Sequence, residues 1–394
     1  MTGGDEVLVV GGGPAGSATA LLLARAGVQV RVLERARFPR RKVCGEYLNA
    51  GAVAALERLG LLDAVRSVGS PLRGVRLVVA AAQPVALPFP RPALSCAREL
   101  LDALLLDAAA AAGAAVERAR VEEIVTEGGR CVGLQVRDED GLLRERRARI
   151  VVGADGAGSV VARRLGLARP LRRGARYAVG GHYAGFGSLE GCVEMYVGDG
   201  AYFALNPLDA SAANVMVVVP RARLARWAAD LDAGVGAAAT ALARGARSFA
   251  GTTRLGARVS VGPLAHDVRA AAAPGALLVG DAAGFLDPFT GQGVALALQD
   301  AERAAETALA SLRARRGEAQ AFAAYARDRR DDRRWRRRLC RLVAVLVDVP
   351  PLARRASRRL ARSPELGATL LDGLAGTTSP RRALRPGVLA RLLA

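Results

Sequence analysis

The stretch that decides the fold of this chain is Val7-Leu8-Val9-Val10-Gly11-Gly12-Gly13-Pro14-Ala15-Gly16, and an apolar segment from Ser17 to Arg25 follows it. An apolar run, a glycine turn and an apolar helical run predict a buried parallel strand that leads directly into a helix. Gly11 permits the tight turn, Gly13 lets the backbone approach a pyrophosphate, and Gly16 lets helix and strand pack closely. The free N–H groups at the helix start stabilise the anion.

A second predicted strand, Val28 to Leu33, ends in Glu34, about twenty residues past the glycines. At that place a carboxylate can accept hydrogen bonds from an adenosine ribose. Arg35 is a candidate for a phosphate contact, and a solvated side chain is the alternative. The complete unit of strand, glycine turn, helix, strand and glutamate predicts a dinucleotide-binding domain.

Two later segments repeat the pattern of a strand that runs into small residues and one aspartate. The segment from Ala148 to Ser159 contains Asp155, and the segment from Gly275 to Gly284 contains Asp281. Small residues around an aspartate let the backbone approach a ligand. Both segments are therefore predicted to let the backbone come close to a ligand.

A third glycine turn precedes a long helix. Pro288-Phe289-Thr290-Gly291-Gln292-Gly293 leads into a helix predicted from Val294 to about Leu309. The N–H groups at the start of that helix could stabilise negative charge on a reduced ring.

These motifs, in this order and spacing, resemble the flavoprotein superfamily that contains the aromatic hydroxylases and the geranylgeranyl reductases, from about Val7 to Leu309. The resemblance implies FAD as the cofactor and a glutathione-reductase-like FAD domain. Arg98 matches the family arginine that reaches the cofactor, and a solvated arginine is the alternative. The implied FAD contacts are Gly11, Gly13, Pro14, Ala15, Gly16, Glu34, Arg35, Lys42, Arg98, Asp155, Gly156, Gly280, Asp281, Gly291, Gln292 and Gly293.

The loop from Phe38 to Leu48 is similar to the one that geranylgeranyl reductases and flavin-dependent halogenases place beside the flavin. Cys44 stands where the reductases carry a cysteine near the redox centre, and a buried structural cysteine is the alternative. The resemblance makes Cys44, Gly45, Glu46 and Pro288 the candidate catalytic residues.

Two departures from the family narrow the reaction. Halogenases need a lysine outside this loop, and Lys42 is the single lysine of the chain, so halogenation is not expected. The reductases carry a Tyr-x-Trp-x-Phe-Pro element, which here reads Tyr202-Phe203-Ala204-Leu205-Asn206-Pro207. Tyr202, Asn206 and Pro207 are the candidate substrate contacts, because proline ends a strand at an irregular edge where ligands approach.

The predicted fold class is α/β, with three units. Residues 1–71, 96–175 and 270–310 form the FAD domain, and residues 72–95 and 176–269 form a substrate domain of mostly antiparallel strands. Residues 311–394 form a helical basic region.

The 394 residues carry a formal net charge of +20, concentrated near the C-terminus. Between Arg313 and Arg362, 17 arginines face five acidic residues. A solvated helical face is the favoured interpretation. The alternatives are contact of the apolar run Leu342 to Val349 with an anionic membrane and, less favoured, nucleic-acid binding.

Five scattered cysteines without a C-x-x-C pair argue against disulfides or a zinc site. The start of the chain has no basic segment typical of a signal peptide. We therefore expect a cytoplasmic protein, with peripheral membrane contact as an option, and no metal.

The leading functional prediction is an NAD(P)H-dependent FAD monooxygenase that hydroxylates or epoxidises a small lipophilic or aromatic biosynthetic substrate. NAD(P)H would visit transiently, since no separate nicotinamide fold is visible. The alternative is a geranylgeranyl-reductase-like enzyme that reduces a carbon–carbon double bond. An alternative of another class is a membrane- or nucleic-acid-associated binding protein that acts through the arginine-rich tail.

Overall fold

A computed structural model of the chain describes residues 5–79, 83–169, 176–198, 200–227, 230–243, 247–264, 266–285, 288–314 and 317–393. The strands are β1 (Val7–Val10), β2 (Val30–Glu34), β3 (Tyr47–Leu48), β4 (Ser70–Val79), β5 (Val85–Ser95), β6 (Ala115–Arg118), β7 (Arg120–Glu127), β8 (Arg130–Arg137), β9 (Leu143–Arg147), β10 (Ile150–Gly153), β11 (Arg176–Ala184), β12 (Cys192–Gly198), β13 (Ala201–Pro207), β14 (Ala212–Pro220), β15 (Thr253–Val261), β16 (Ala272–Ala273) and β17 (Ala276–Leu278).

The helices are α1 (Pro14–Arg25), α2 (Ala50–Arg58), α3 (Leu62–Val68), α4 (Arg98–Ala111), α5 (Val160–Arg164), α6 (Arg221–Ala225), α7 (Leu231–Ala243), α8 (Gly293–Arg313), α9 (Glu318–Asp348), α10 (Pro350–Arg362), α11 (Pro364–Ala375), α12 (Pro380–Ala383) and α13 (Pro386–Leu393). Short 3₁₀ turns cover Gly280–Ala283 and Pro288–Thr290. The α/β fold class is confirmed.

A six-stranded sheet has the order β16-β17-β10-β1-β2-β6, and its neighbours are parallel apart from β16 and β17. Every residue of β1 and β10 is buried, as is usual for parallel strands covered on both faces. The carboxyl ends of β1, β10 and β17 lie side by side. This register brings the three glycine- and aspartate-bearing turns to one edge of the sheet.

An eight-stranded sheet has the order β15-β11-β14-β13-β12-β4-β5-β3. Its strands pair antiparallel, except for β12 with β4. Alternation sorts the side chains of β13: Phe203 and Leu205 join one apolar cluster, and Tyr202 joins a second cluster on the other face. The remaining strands, β7 to β9, form a separate antiparallel sheet.

The C-terminal helices pack onto the eight-stranded sheet, since α10 contacts β4 and β5 and α11 contacts β5. The predicted solvated helical face is present on one side of α9, where Arg330, Arg334 and Arg341 are exposed, but the opposite side of the helix is buried. Arg329, Arg333 and Arg336 are each at most 5% exposed, because carboxylate, amide and carbonyl oxygens of the FAD domain accept their hydrogen bonds. Within the described ranges, no helix is long and apolar enough to span a membrane.

Candidate functional site

The three motifs meet in one cleft. Gly11 has a φ of 101°, and a Cβ there would lie 2.7 Å from the carbonyl oxygen of Ala154, the residue before Asp155. A Cβ on Gly280 would lie 2.9 Å from the Cβ of Ala15 in the first turn. The glycines therefore allow the first turn to touch both other motifs.

The cleft offers the groups that FAD needs. Asp155 Oδ2 accepts hydrogen bonds from the N–H groups of Val160 at 2.6 Å and Val161 at 3.4 Å. Its Oδ1 is buried without a hydrogen-bond partner among the described residues, which leaves an acceptor for a ligand hydroxyl. Near a Cβ on Gly13, the nearest atom is Arg40 Nη2 at 3.7 Å, so a pyrophosphate could approach that backbone. These residues fit FAD.

Glu34 lies at the end of β2 beside the first turn. Its Oε2 accepts a hydrogen bond from Gly12 N at 2.7 Å, and its Oε1 accepts one from Ala36 N at 2.8 Å. Each carboxylate oxygen keeps a second lone pair, so the predicted contact with a ribose stays open. Arg35 is exposed, and its phosphate contact remains a prediction.

Lys42 lies near both aspartate-bearing turns. Its Nζ would lie 3.3 Å from a Cβ on Gly156, and the charge of Asp281 acts on it. Part of the lysine is exposed to solvent, but its ammonium is partly desolvated. This desolvation lowers its pKa, and the positive charge of Arg98 lowers it further.

A single-lysine chain gives a direct test of occupancy. We expect FAD to slow modification of Lys42 by an amine reagent at least about tenfold, and we expect the apoprotein to react at lower pH than an ordinary lysine, because a lowered pKa enlarges the neutral amine fraction. Peptide mass spectrometry with and without FAD measures both effects, and a Lys42→Arg variant identifies the labelled peptide. Equal labelling in both states would remove Lys42 from the cofactor cleft.

Arg98 begins α4 and is buried in a charged cluster. It binds Asp102 through two hydrogen bonds of 2.7 and 2.8 Å. Burial lowers its pKa, but Asp102 and Cys44 outweigh burial and hold the pKa above its ordinary value. Arg40 lies 3.1 Å from the same Asp102. Arg98 is thus a buried cation close enough to Lys42 to lower its pKa. The alternative of a solvated arginine is wrong.

A row of polar side chains on three neighbouring strands holds the loop around Cys44. His182, Asn214 and Asn206 are register partners across β11, β14 and β13. Asn214 Nδ2 donates to Cys44 O at 2.7 Å, and Asn206 Nδ2 donates to the carbonyls of residues 45 and 46 at 3.0 Å each. His182 Nε2 lies 2.8 Å from Glu46 Oε2. We name these three residues the loop clamp.

Glu46 has a left-handed backbone with φ of 55°, which costs a residue with a side chain about 1–2 kcal/mol. Besides His182, its carboxylate accepts the N–H of Arg98 at 2.9 Å. The N-cap position of α4 is Ala97, whose side chain makes no capping bond. Glu46 therefore supplies that cap from a distant loop and ties Cys44 to the cation cluster.

The three predicted substrate contacts, Tyr202, Asn206 and Pro207, all lie on β13. Asn206 holds the loop. Tyr202 is 2% exposed and packs edge-on against Phe289 at 5.0 Å between ring centroids. Pro207 ends β13 in register with Ala213. None of the three lines the cavity described next, and their contact with substrate stays a prediction.

An apolar cavity of about 180 Å³ lies between the eight-stranded sheet and the C-terminal helices. Strands β4, β5 and β12 provide one wall, and α9, α10 and α11 provide the other. At one end lie Thr290 and Gly291 of the third glycine turn. The lining is Tyr47, Asn49, Val75, Leu77, Val79, Leu87, Phe89, Val193, Met195, Val197, Phe289, Thr290, Gly291, Leu342, Val343, Leu346, Ala353, Ala356, Ser357, Leu360, Gly367, Leu370, Leu371, Leu374, Ala375 and Leu392.

Tyr47 lines this cavity next to Gly291 of the third glycine turn. Its ring stacks on Phe89 at 5.4 Å and fills the space next to Gly291, where a Cβ would come within 2.5 Å of the ring. Asn49 Nδ2 donates to the carbonyl of Gly291 at 3.1 Å. Burial raises the pKa of Tyr47, which keeps the phenol neutral.

The Gly-Asp turn is held from behind by α9. Asp300 on α8 accepts hydrogen bonds from Gly280 N at 3.1 Å, Arg329 Nε at 3.0 Å and Arg333 Nη2 at 2.8 Å. Burial raises the pKa of Asp300, but the two arginines outweigh it and hold the pKa below its ordinary value. Burial also lowers the pKa of Arg333 to about 10.

The third glycine turn has the same support. Gln292 accepts a hydrogen bond from Arg336 Nη1 at 3.3 Å and contacts Cys340 Sγ at 3.4 Å. Pro288, Gln292 and Gly293 border a small cavity of about 20 Å³ that Arg333 also lines. Helix α9, which the sequence presented as part of a tail, therefore supports both the Gly-Asp turn and the third glycine turn.

Sequence reasoning missed the loop clamp and the C-terminal wall of the cavity. One signal was available for the clamp: a hairpin from β13 to β14 pairs Asn206 with Asn214. For α10 and α11, the sequence predicted only that they belong to a helical basic region.

The fold and the three joined motifs define a flavoprotein, an FAD-dependent oxidoreductase. The chain belongs to the FAD binding domain family, whose model matches residues 5–336. It is 31% identical over 346 residues to menaquinone reductase from Mycolicibacterium smegmatis, covering 76% of this chain and 75% of that protein. It is 31% identical over 317 residues to digeranylgeranylglycerophospholipid reductase 2 from Methanopyrus kandleri, covering 77% and 76% of the two chains.

Other similarities either cover less of the chain or have a lower sequence identity. An FAD-dependent monooxygenase, pynG from Aspergillus niger, is 34% identical over 167 residues, which is 41% of this chain and 38% of that protein. The structure of the flavin-dependent brominase Bmp2 superposes with a TM-score of 0.85 over 97% of this chain and 98% of the other, at 21% identity. That likeness shows the shared fold.

Proposed function

We propose that this protein is an FAD-dependent reductase that adds two hydrogens across a carbon–carbon double bond of a lipophilic, isoprenoid-type substrate. Reductases that are 31% identical to this chain cover about three quarters of both chains. A brominase with the same coverage is only 23% identical, and the monooxygenase match covers about two fifths. The alternative formulated from the sequence is therefore favoured over the monooxygenase that the sequence made the leading prediction.

The observation that carries the proposal is the apolar cavity that ends at Gly291 and Tyr47. Apart from Tyr47, Asn49, Thr290 and Ser357, its lining side chains are apolar. An isoprenoid chain has few hydrogen-bonding groups, so such a wall binds it through the hydrophobic effect without leaving polar groups unpaired.

FAD supplies the hydride chemistry in this enzyme class, and NAD(P)H or another donor supplies the electrons. The residues of this chain would bind and orient. The loop clamp fixes Cys44 and Glu46, Arg98 presents a buried cation to the cleft, and Tyr47 separates the cleft from the cavity. The helices that close the cavity exclude water from the reacting bond.

One family feature is altered at the cavity side of the sheet. Ala204 stands where the reductases carry tryptophan, and it pairs with Met195 on β12 and Met216 on β14. Two flexible thioethers beside a small residue can repack around different shapes. We therefore expect tolerance for more than one isoprenoid length.

Turnover without oxygen tests the proposal. The FAD-loaded protein, NAD(P)H or dithionite, and geranylgeraniol or menaquinone are incubated under argon, and products are analysed by mass spectrometry. We expect two hydrogens added to the isoprenoid chain, located by fragmentation. A reaction without protein gives the background, because dithionite alone reduces the quinone ring of menaquinone. Consumption of these substrates only in air, with one oxygen atom gained, would restore the monooxygenase. A protein that holds no FAD after reconstitution would reject both.

A further inference from the structure

The outer side of the cavity wall differs sharply from its inner side. Near the end of α9, Arg341, Val345 and Val349 follow one another at four-residue spacing, and all three are exposed, Val345 to 49% and Val349 to 38%. Leu342 and Leu346, from the same turns, line the cavity. Large apolar side chains are thus exposed immediately outside an apolar cavity.

Helix α10 is divided in the same way. Arg358 and Arg362 are exposed, one turn apart, while Ala356 and Leu360 line the cavity. The helix from Pro350 to Arg362 contains five arginines and no acidic residue. Its outer face is therefore strongly basic.

This positive charge is not neutralised locally. Among the described residues, no ion pair joins Arg341, Arg358 or Arg362 to an acidic side chain, although many other arginines of the chain are paired. The nearest acidic residues in sequence, Asp348 and Glu365, are paired with other arginines, Asp348 with Arg176 of β11 and Glu365 with Arg391 of α13. An anionic partner is the charge complement of such a surface.

We infer that the α9–α10 outer surface, formed by Arg341, Val345, Val349, Arg358 and Arg362, docks on an anionic phospholipid bilayer. Arginines bind the negatively charged headgroups, and the two valines enter the boundary between headgroups and acyl chains. No spanning helix occurs in the described residues, so this contact is peripheral. The inference deepens the proposed function, on which it rests: a substrate dissolved in lipid would enter through the wall that touches the bilayer.

Vesicle sedimentation of the FAD-loaded protein tests the surface. We expect binding to vesicles of phosphatidylglycerol and phosphatidylcholine in a ratio of about one to two, and release when salt rises from about 0.1 to 0.5 M. Arg358→Glu with Arg362→Glu should weaken binding at least tenfold. The matched control is Arg221→Glu with Arg226→Glu, an equal charge change on two exposed arginines at the start and just past the end of α6. Helix α6 packs on β11 and β14, away from the cavity wall.

A second measurement reports insertion of the apolar side chains into the bilayer. A Val345→Trp variant should gain fluorescence that brominated phospholipids quench, and the bound protein should lose that quenching in high salt. Equal binding to pure phosphatidylcholine, equal loss in both double variants, or unquenched tryptophan at position 345 would each overturn the docking surface. Binding of duplex DNA in place of vesicles, lost in Arg358→Glu with Arg362→Glu, would overturn it in favour of nucleic acid.

The docking surface and the reductase can fail independently. In detergent, without vesicles, the Arg358→Glu and Arg362→Glu variant should reduce a short isoprenoid alcohol at the wild-type rate. Vesicle binding without such reduction would sustain the surface and reject the reductase. Reduction without vesicle binding would sustain the reductase and reject the docking surface.

Discussion

Replacing Gly16 by alanine should weaken FAD binding by at least about 100-fold and abolish flavin-dependent activity. The new Cβ would overlap the carbonyl oxygen of Gly11 and lie 3.1 Å from the Cβ of Ala154. A backbone oxygen in a tight turn cannot move aside without opening the turn, and the turn is the surface that approaches the pyrophosphate. Titration of the apoprotein with FAD, followed by flavin fluorescence, measures the loss.

Two other glycines serve as controls. Gly236 lies within α7, and a Cβ there meets no atom within 4 Å, so Gly236→Ala should keep FAD affinity and gain about 0.5–1 kcal/mol of stability. Gly13 has an ordinary φ of −76°, so Gly13→Ala should leave the thermal midpoint of the apoprotein unchanged and still weaken FAD binding. Wild-type FAD affinity in Gly16→Ala would contradict the placement of the cofactor.

Replacing Asp300 by asparagine should destabilise the protein by about 3–5 kcal/mol, because it leaves Arg329 and Arg333 buried without their carboxylate. Both guanidiniums are 4% exposed. The thermal midpoint should fall by roughly 5 °C or more, and FAD affinity should fall with it, since the N–H of Gly280 shares its acceptor oxygen with both arginines. Scanning fluorimetry of the apoprotein and the FAD titration measure the two effects separately.

The control and the rescue use the same helix. Asp331 is exposed on α9, and Asp331→Asn should change stability by less than about 0.5 kcal/mol. Adding Arg333→Met to Asp300→Asn should restore part of the loss, because one unpaired charge is removed while Arg329 keeps its bond of 2.7 Å to the carbonyl of Ala283. No rescue, together with equal effects of the two asparagine variants, would contradict the buried network.

The pH dependence has a defined sign. The folded-state pKa of Asp300 is below its ordinary value, so its contribution is present above the unfolded pKa of about 4 and is lost as pH falls through the folded value. The difference in stability between wild type and Asp300→Asn should therefore shrink below about pH 4. A constant difference down to acid pH would mean that Asp300 is not the charged partner.

The FAD domain could be predicted from the amino-acid sequence, because each of its motifs is local in the sequence. The glycine turn after β1, Glu34 at the end of β2, and the two aspartate turns are each readable within about ten residues, and parallel pairing of β1 with β10 and β10 with β17 then brings them together. Backbone geometry that only glycine can adopt, and strands buried on both faces, leave few alternatives.

The roles of the arginines, the asparagines and the C-terminal helices could not be predicted from the sequence, because they depend on tertiary contacts. An arginine on an amphipathic helix can be solvated or buried, and the outcome depends on a partner such as Asp300, which pairs with Arg329 across two helices. Asn206 holds carbonyls about 160 residues away in the chain. Hydrogen bonds and packing between distant segments leave no periodic signal in sequence, so the cavity wall and its basic outer face emerge only when α9 and α10 fold back onto the sheet.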